Sequence, residues 1–134
     1  MKLVKSKVRF DEEQHRYFLG EKELSGITGT LIKKAFPDTY KGIPDAVLAK
    51  AAERGSVVHQ NLELFDTVCN SDINIMPSVL PEIKDYNEML ISYGLHHVDS
   101  EYLVTDNENF ASAIDKVLAD DEGNIYLADI KTTA

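Results

Sequence analysis

FASAIDKVLADDEGNIYLADIKT, residues 110–132, is the stretch whose reading decides the fold. Residues 110–119 and 125–132 are rich in apolar and β-branched side chains, and Asp120-Asp121-Glu122-Gly123-Asn124 between them has turn chemistry. This predicts a β-hairpin. A turn centred on Glu122 sets Asp115 directly opposite Asp129, with Cβ atoms about 4.5–5.5 Å apart. Two carboxylates at that spacing repel each other unless a cation lies between them. Mg²⁺ takes oxygen ligands at about 2.0–2.1 Å and suits such a pair. Lys131 lies two residues beyond Asp129, on the same strand face. Its charge bars it from the metal but suits it to orient or deprotonate a water, or to offset charge on an attacked phosphate. Ile114, Val117, Leu118, Ile125, Leu127 and Ile130 occupy both faces of the two strands. That predicts burial, where a carboxylate is costly unless paired or metal-bound. The same residues admit a second reading, an Asp–Lys cross-strand ion pair on a half-exposed hairpin.

Working outward, residues 98–104 read as a further strand, with Asp106-Asn107-Glu108-Asn109 as its turn. Before it, Pro81 opens a helix whose Ile83, Tyr86, Leu90 and Tyr93 recur at helical spacing until Gly94 stops it. Residues 70–77 read as a loop. Asp45 is the expected cap of a helix that Gly55 interrupts, and Ser56 caps a second segment over 57–68 carrying Val58, Leu62 and Phe65. Near the N-terminus, Val8, Phe10, Tyr17 and Leu19 flank a polar Asp11-Glu12-Glu13-Gln14 turn, predicting another hairpin. A second turn follows at 20–23, then a lead-in to a short helix at 31–35 ended by Phe36-Pro37-Asp38. Hairpin, helices and an antiparallel three-stranded meander make an α+β domain. The expected organisation is a single domain over 1–134, with a lead-in hairpin and helix at 1–44 and the core at 45–134.

The chain has 134 residues and a net charge of −9, which argues against a generic nucleic-acid binder. The charge is uneven. Residues 1–60 hold 11 Lys+Arg and 8 Asp+Glu, a balance of +3; residues 61–134 hold 3 and 15, a balance of −12. The first half suits a polyanion and the second a cation. No apolar run is long enough for a membrane span and no secretory leader is visible, so a cytoplasmic protein without a membrane partner is expected. Cys69 is the only cysteine, which excludes an internal disulfide and suits a reducing compartment. His96-His97 stands at a strand edge, where neighbours point to opposite faces and do not share one metal. Gly26-Ile27-Thr28-Gly29 lacks the lysine of a phosphate loop.

RGSVVHQNLE at 54–63 adds His59 and Glu63, four apart on one helix face and both of metal-ligating type. This motif, with ASAID at 111–115 and ADIKT at 128–132 in that order, resembles the PD-(D/E)XK nuclease superfamily in its RecB-like and phage-exonuclease branch. Tyr17-Phe18-Leu19 and Ser25-Gly26-Ile27-Thr28 resemble the lead-in of such phage proteins. The resemblance implies a restriction-endonuclease-like core and Mg²⁺-dependent DNA hydrolysis of exonuclease, recombination type, with Mn²⁺ as a substitute. It implies metal ligation by His59, Asp115, Asp129 and the Ile130 backbone carbonyl. Asp115, Asp129 and Lys131 would be the catalytic set and Glu63 and Glu101 supporting residues. Arg54, Lys33 and Lys34 are candidate DNA contacts. Ala113 stands where the family has glycine. Members continue past the D/E-x-K strand into a helix bearing Gln and Tyr and then a further strand. The resemblance therefore implies an N-terminal portion here, whose open sheet edge would be completed by a second copy or a partner chain. The alternative is a catalytically inactive remnant that binds DNA or protein.

Overall fold

The computed structural model describes residues 3–68 and 76–132. The loop expected at 70–77 lies mostly outside that range, as does Cys69. The fold is mixed α+β. Its strands are β1 (Val8–Asp11), β2 (Arg16–Leu19), β3 (Lys22–Gly26), β4 (Leu95–Thr105), β5 (Phe110–Asp120) and β6 (Ile125–Ala128). Its helices are α1 (Lys33–Ala35), α2 (Asp45–Val68) and α3 (Leu80–Tyr93). A π-helical turn, Ile27–Ile32, precedes α1, and a 3₁₀ turn, Pro77–Val79, precedes α3. The six strands follow the order β1-β2-β3-β5-β4, with β6 also paired to β5. Among the described residues, no helix is long and apolar enough to cross a membrane. The chain divides into two compact units: residues 1–42 with 101–115, and residues 43–100 with 116–134.

The first unit starts from the expected hairpin. β1 and β2 pair antiparallel from Val8 with Leu19 to Asp11 with Arg16, and the Asp11 carboxylate accepts the Gln14 amide at 3.0 Å. The segment after Leu19, expected only as a turn and lead-in, is a third strand. Gly20, at φ 63°, makes the two-residue turn that a side chain would strain, and β3 pairs back on β2. β3 then runs parallel to the start of β5, Ser25 beside Phe110 and Gly26 beside Ala111. Alternation puts Val8, Tyr17 and Leu24 into one buried cluster with Ala111. The turn before β5 is built by Asp106, whose carboxylate accepts the amides of Glu108, Asn109 and Phe110 at 2.9–3.0 Å.

The second unit is built on α2 and α3. Val58 and Leu62 on α2 meet Ile83, Tyr86 and Leu90 on α3, with Val79 and Leu118 completing the buried cluster. These are the i, i+3 and i+4 positions of two amphipathic helices. Tyr93, expected to continue the stripe, is 74% exposed, because the helix ends at Gly94 (φ 63°). α2 does not break at Gly55. One helical glycine costs only about 1 kcal/mol, and the helix runs through it to the buried Val58 and Leu62. Ser56 is therefore an interior residue and not a cap.

The β5 to β6 register is the predicted one: Lys116 faces Ala128, Val117 Leu127, Leu118 Tyr126 and Ala119 Ile125. The ladder ends there, so the strand expected over 125–132 stops before Asp129. The burial expectation needs a larger correction. Val117 and Leu118 are buried, but Leu127 is 66% exposed and Tyr126 44%, because β6 has no partner but β5 among the described residues.

Asp120 ties off this hairpin. Its carboxylate accepts the Glu122 and Asn124 amides at 3.0 and 2.9 Å, the Asn124 side-chain amide at 2.8 Å and the Tyr126 hydroxyl at 3.0 Å. These bonds, that from Asn124 foremost, hold its pKa below the ordinary 3.8. A depressed folded-state pKa fixes the sign: the contribution is complete above the unfolded value and fades as pH falls through the folded one. Asp120→Ala is expected to speed amide exchange at Asn124 at neutral pH while changing it little in acid. Unchanged exchange at neutral pH would show that the turn holds without this carboxylate.

Candidate functional site

In the first unit, β4 carries Glu101 and β5 carries Asp115. A side-chain oxygen of each lies within 4.8 Å of the other. Glu101 is at φ 48° in the middle of a strand. For a side chain larger than glycine that conformation costs about 1–3 kcal/mol, and such strain concentrates at functional positions. The two carboxylates open on a cavity of about 600 Å³. Its other walls are β3, the π-helical turn with Thr28, Gly29 and Thr30, and Ser112 and Ala113. Short π-helical turns recur beside functional sites. Tyr17 forms part of the floor. Burial, and then the Glu101 charge, push its phenol pKa up. Gly26 is needed here for space, since a Cβ would sit 3.3 Å from the Tyr17 ring. At the rim, Arg16 and Glu23 form a forked ion pair, with Nε donating to Oε1 at 2.7 Å. Their hydrogen bond raises the Arg16 pKa and lowers that of Glu23.

In the second unit, half-buried His59 on α2 places Nε2 3.2 Å from the Ile130 carbonyl oxygen. Those are two of the ligands implied for one metal. Their spacing suits an Nε2–H donating to the carbonyl, and also two neighbouring ligands of one ion. Asp129 and Lys131 follow β6 and meet as an ion pair, Nζ to Oδ2 2.8 Å, with side chains 62% and 84% exposed. The ion pair joins residues two apart in one segment beyond the ladder, so it is not the cross-strand pair of the second reading. The buried environment expected for Asp129 is absent. Glu63 is exposed one turn beyond His59. Arg54, a candidate DNA contact, forms an ion pair with Glu82 at a cavity of about 440 Å³ that Asp85, Asp129 and Lys131 also line. Lys33 and Lys34, on α1 in the first unit, are exposed.

The buried charge of β5 is Lys116. Its ammonium donates to Asp66 Oδ2 and to Ser100 Oγ, both at 2.7 Å. The Lys116 and Asp66 side chains are 3% and 2% exposed. Tyr86 donates to both Asp66 oxygens at 3.0–3.1 Å; burial, then the Asp66 charge, push its pKa well up. Ser100 Oγ, which accepts from Lys116, also lies 2.9 Å from His97 Nε2, and that nitrogen is 3.8 Å from Asp66 Oδ2. His97 belongs to this network and exposed His96 does not, as alternation predicts. Sequence reading passed over Asp66, Lys116 and Ser100. The available signal was a lysine inside the apolar run of residues 114–119.

No family model matches the chain, and neither does any curated protein or solved structure.

Proposed function

We propose that this chain carries the metal-binding part of a Mg²⁺-dependent DNA exonuclease of phage or recombination type, on a restriction-endonuclease-like core. The observation that carries the reading is the carboxylate pair of Glu101 and Asp115 at the cavity, with Glu101 on a strained backbone. The donors are carboxylate oxygens, the ligand type that Mg²⁺ takes. In the second unit, His59 and the Ile130 carbonyl, 3.2 Å apart, are further ligands that the resemblance names, as is Asp129. Bound Mg²⁺ would lower the pKa of a water and stabilise phosphate charge. Asp115 and Glu101 would hold the cation, and Glu63 would support the His59 face of α2. Lys131, paired with Asp129, would offset charge on the attacked phosphate or orient the water. Arg54 and the lysines of α1 would meet backbone phosphates.

The second reading, a nuclease-like module that binds without cutting, is favoured by one observation. Lys131 lies in a largely exposed ion pair with Asp129. Titration calorimetry with Mn²⁺ separates the two. The nuclease reading expects saturable binding that Asp115→Asn and Glu101→Gln each weaken by about tenfold or more, with melting temperatures unchanged. No binding by the wild type, or full binding by Asp115→Asn, would sink it. DNA binding without Mn²⁺ binding would establish the module.

A further inference from the structure

The first unit contains a second feature that the metal site does not use. Leu31, Ile32, Phe36 and Tyr40 are 42%, 47%, 62% and 64% exposed, four large apolar side chains within ten residues. Single exposed apolar residues are ordinary, but four within one short stretch of chain point to an interaction surface. Lys33, Lys34 and Lys41 are interleaved with them, all exposed, against one acid, Asp38. The stretch is therefore +2 in a chain of −9 whose residues 61–134 hold only 3 Lys+Arg.

The segment is shaped by its own backbone. Phe36 N–H donates to the Ile32 carbonyl at 2.9 Å and Thr39 N–H to the Phe36 carbonyl at 3.3 Å. Thr39 Oγ1 donates to the same carbonyl at 2.9 Å, and Lys41 N–H to the Asp38 carbonyl at 3.1 Å. Two consecutive turns thus hold Phe36, Tyr40 and Lys41 in one tight loop directly after α1. Lys41 touches Asp38 at only 3.8 Å, with both side chains 77% exposed, so a phosphate can displace that contact.

We propose that residues 31–41 form a platform for single-stranded nucleic acid, with Phe36 and Tyr40 stacking on bases and Lys33, Lys34 and Lys41 meeting phosphates. Charge complementarity chooses the occupant. A second copy docked segment to segment sets +2 against +2, and an apolar peptide offers the lysines no anion. A duplex offers phosphates but keeps its base faces stacked inside. A single strand offers both phosphates and open π-faces. The proposal takes its substrate class from the nucleic-acid reading above and needs neither metal nor cleavage.

The test is fluorescence anisotropy of labelled oligo(dT), about 15 nucleotides long, in EDTA over a salt series. Wild type is expected to bind at low salt and to prefer the single strand to a duplex of equal length. Phe36→Ala with Tyr40→Ala should weaken binding on the order of 10²-fold, whereas Phe36→Tyr with Tyr40→Phe should keep it. Lys33→Gln with Lys34→Gln should lower the slope of log affinity against log salt by about 1.4, at about 0.7 per phosphate contact. No oligo(dT) binding by wild type, equal duplex binding, or full affinity in the ring-to-alanine variant overturns the proposal. So does a dimer in sedimentation, or capture by phosphatidylserine vesicles, that the ring-to-alanine variant abolishes while oligo(dT) binding persists. Wild type that takes Mn²⁺ but not oligo(dT) overturns the platform and leaves the nuclease reading standing; the converse does the reverse.

Discussion

Asp115→Ala is expected to abolish Mg²⁺-dependent cleavage of linear DNA, by roughly 10²–10³-fold or more, the loss that follows removal of one preorganised electrostatic contact in a hydrolytic site. The substitution removes a carboxylate from a half-buried strand position and keeps the Cβ, so β5 should pack as before. Glu101 supplies the companion measurement. Its backbone sits at φ 48°, which glycine adopts without cost. Glu101→Gly should therefore raise stability by about 1 kcal/mol while removing metal binding. A residue that lowers stability yet holds a ligand is what a functional position looks like. Cleavage by Asp115→Ala within tenfold of wild type would end the nuclease reading. A Glu101→Gly protein that is less stable would end the argument from strain.

Lys116→Met should cost about 3–5 kcal/mol, the penalty for leaving a buried charge without its partner. Asp66 would keep the Tyr86 hydroxyl and, at 3.8 Å, His97 Nε2, and its side chain is 2% exposed. A domain of this size has about 5–15 kcal/mol in total, so urea unfolding reads the loss directly. The buried pair is not in itself stabilising. Asp66→Leu combined with Lys116→Met should recover most of the loss, since an apolar pair of similar volume is often as good. A coupling of about 2 kcal/mol or more in the double-mutant cycle is expected. Lys116→Met costing under about 1 kcal/mol would show that the ammonium reaches water.

Several features were legible in the sequence because they act over a few residues. Asp106 and Asp120 build their turns from amides two to four positions away. Gly94 ends α3 where its left-handed φ is needed. The β5 to β6 register followed from the turn at Glu122, since a tight turn fixes pairing on both sides. His59 and the Ile130 carbonyl, named through a resemblance, do lie side by side.

Other features had no local signal. Lys116 finds Asp66 fifty positions away, among 23 acidic residues of which any could have served. Ser25 beside Phe110 turns an N-terminal hairpin into part of a six-stranded sheet, and no rule of turns or periodicity reaches across 85 residues. The apolar run of β6 reads as buried, yet burial depends on a neighbour and not on the run itself.

The hairpin of β5 and β6 was thus determined by sequence in its turn and register, both consequences of local backbone geometry, while its second strand ends at Ala128, short of the expected 132. Its charges were decided by tertiary structure. The buried one is Lys116, Asp129 lies in an exposed ion pair, and Asp115 takes Glu101 as its neighbour across β4 and β5. Electrostatic partnership depends on which distant elements pack together, and that is settled by competition among long-range contacts for one core.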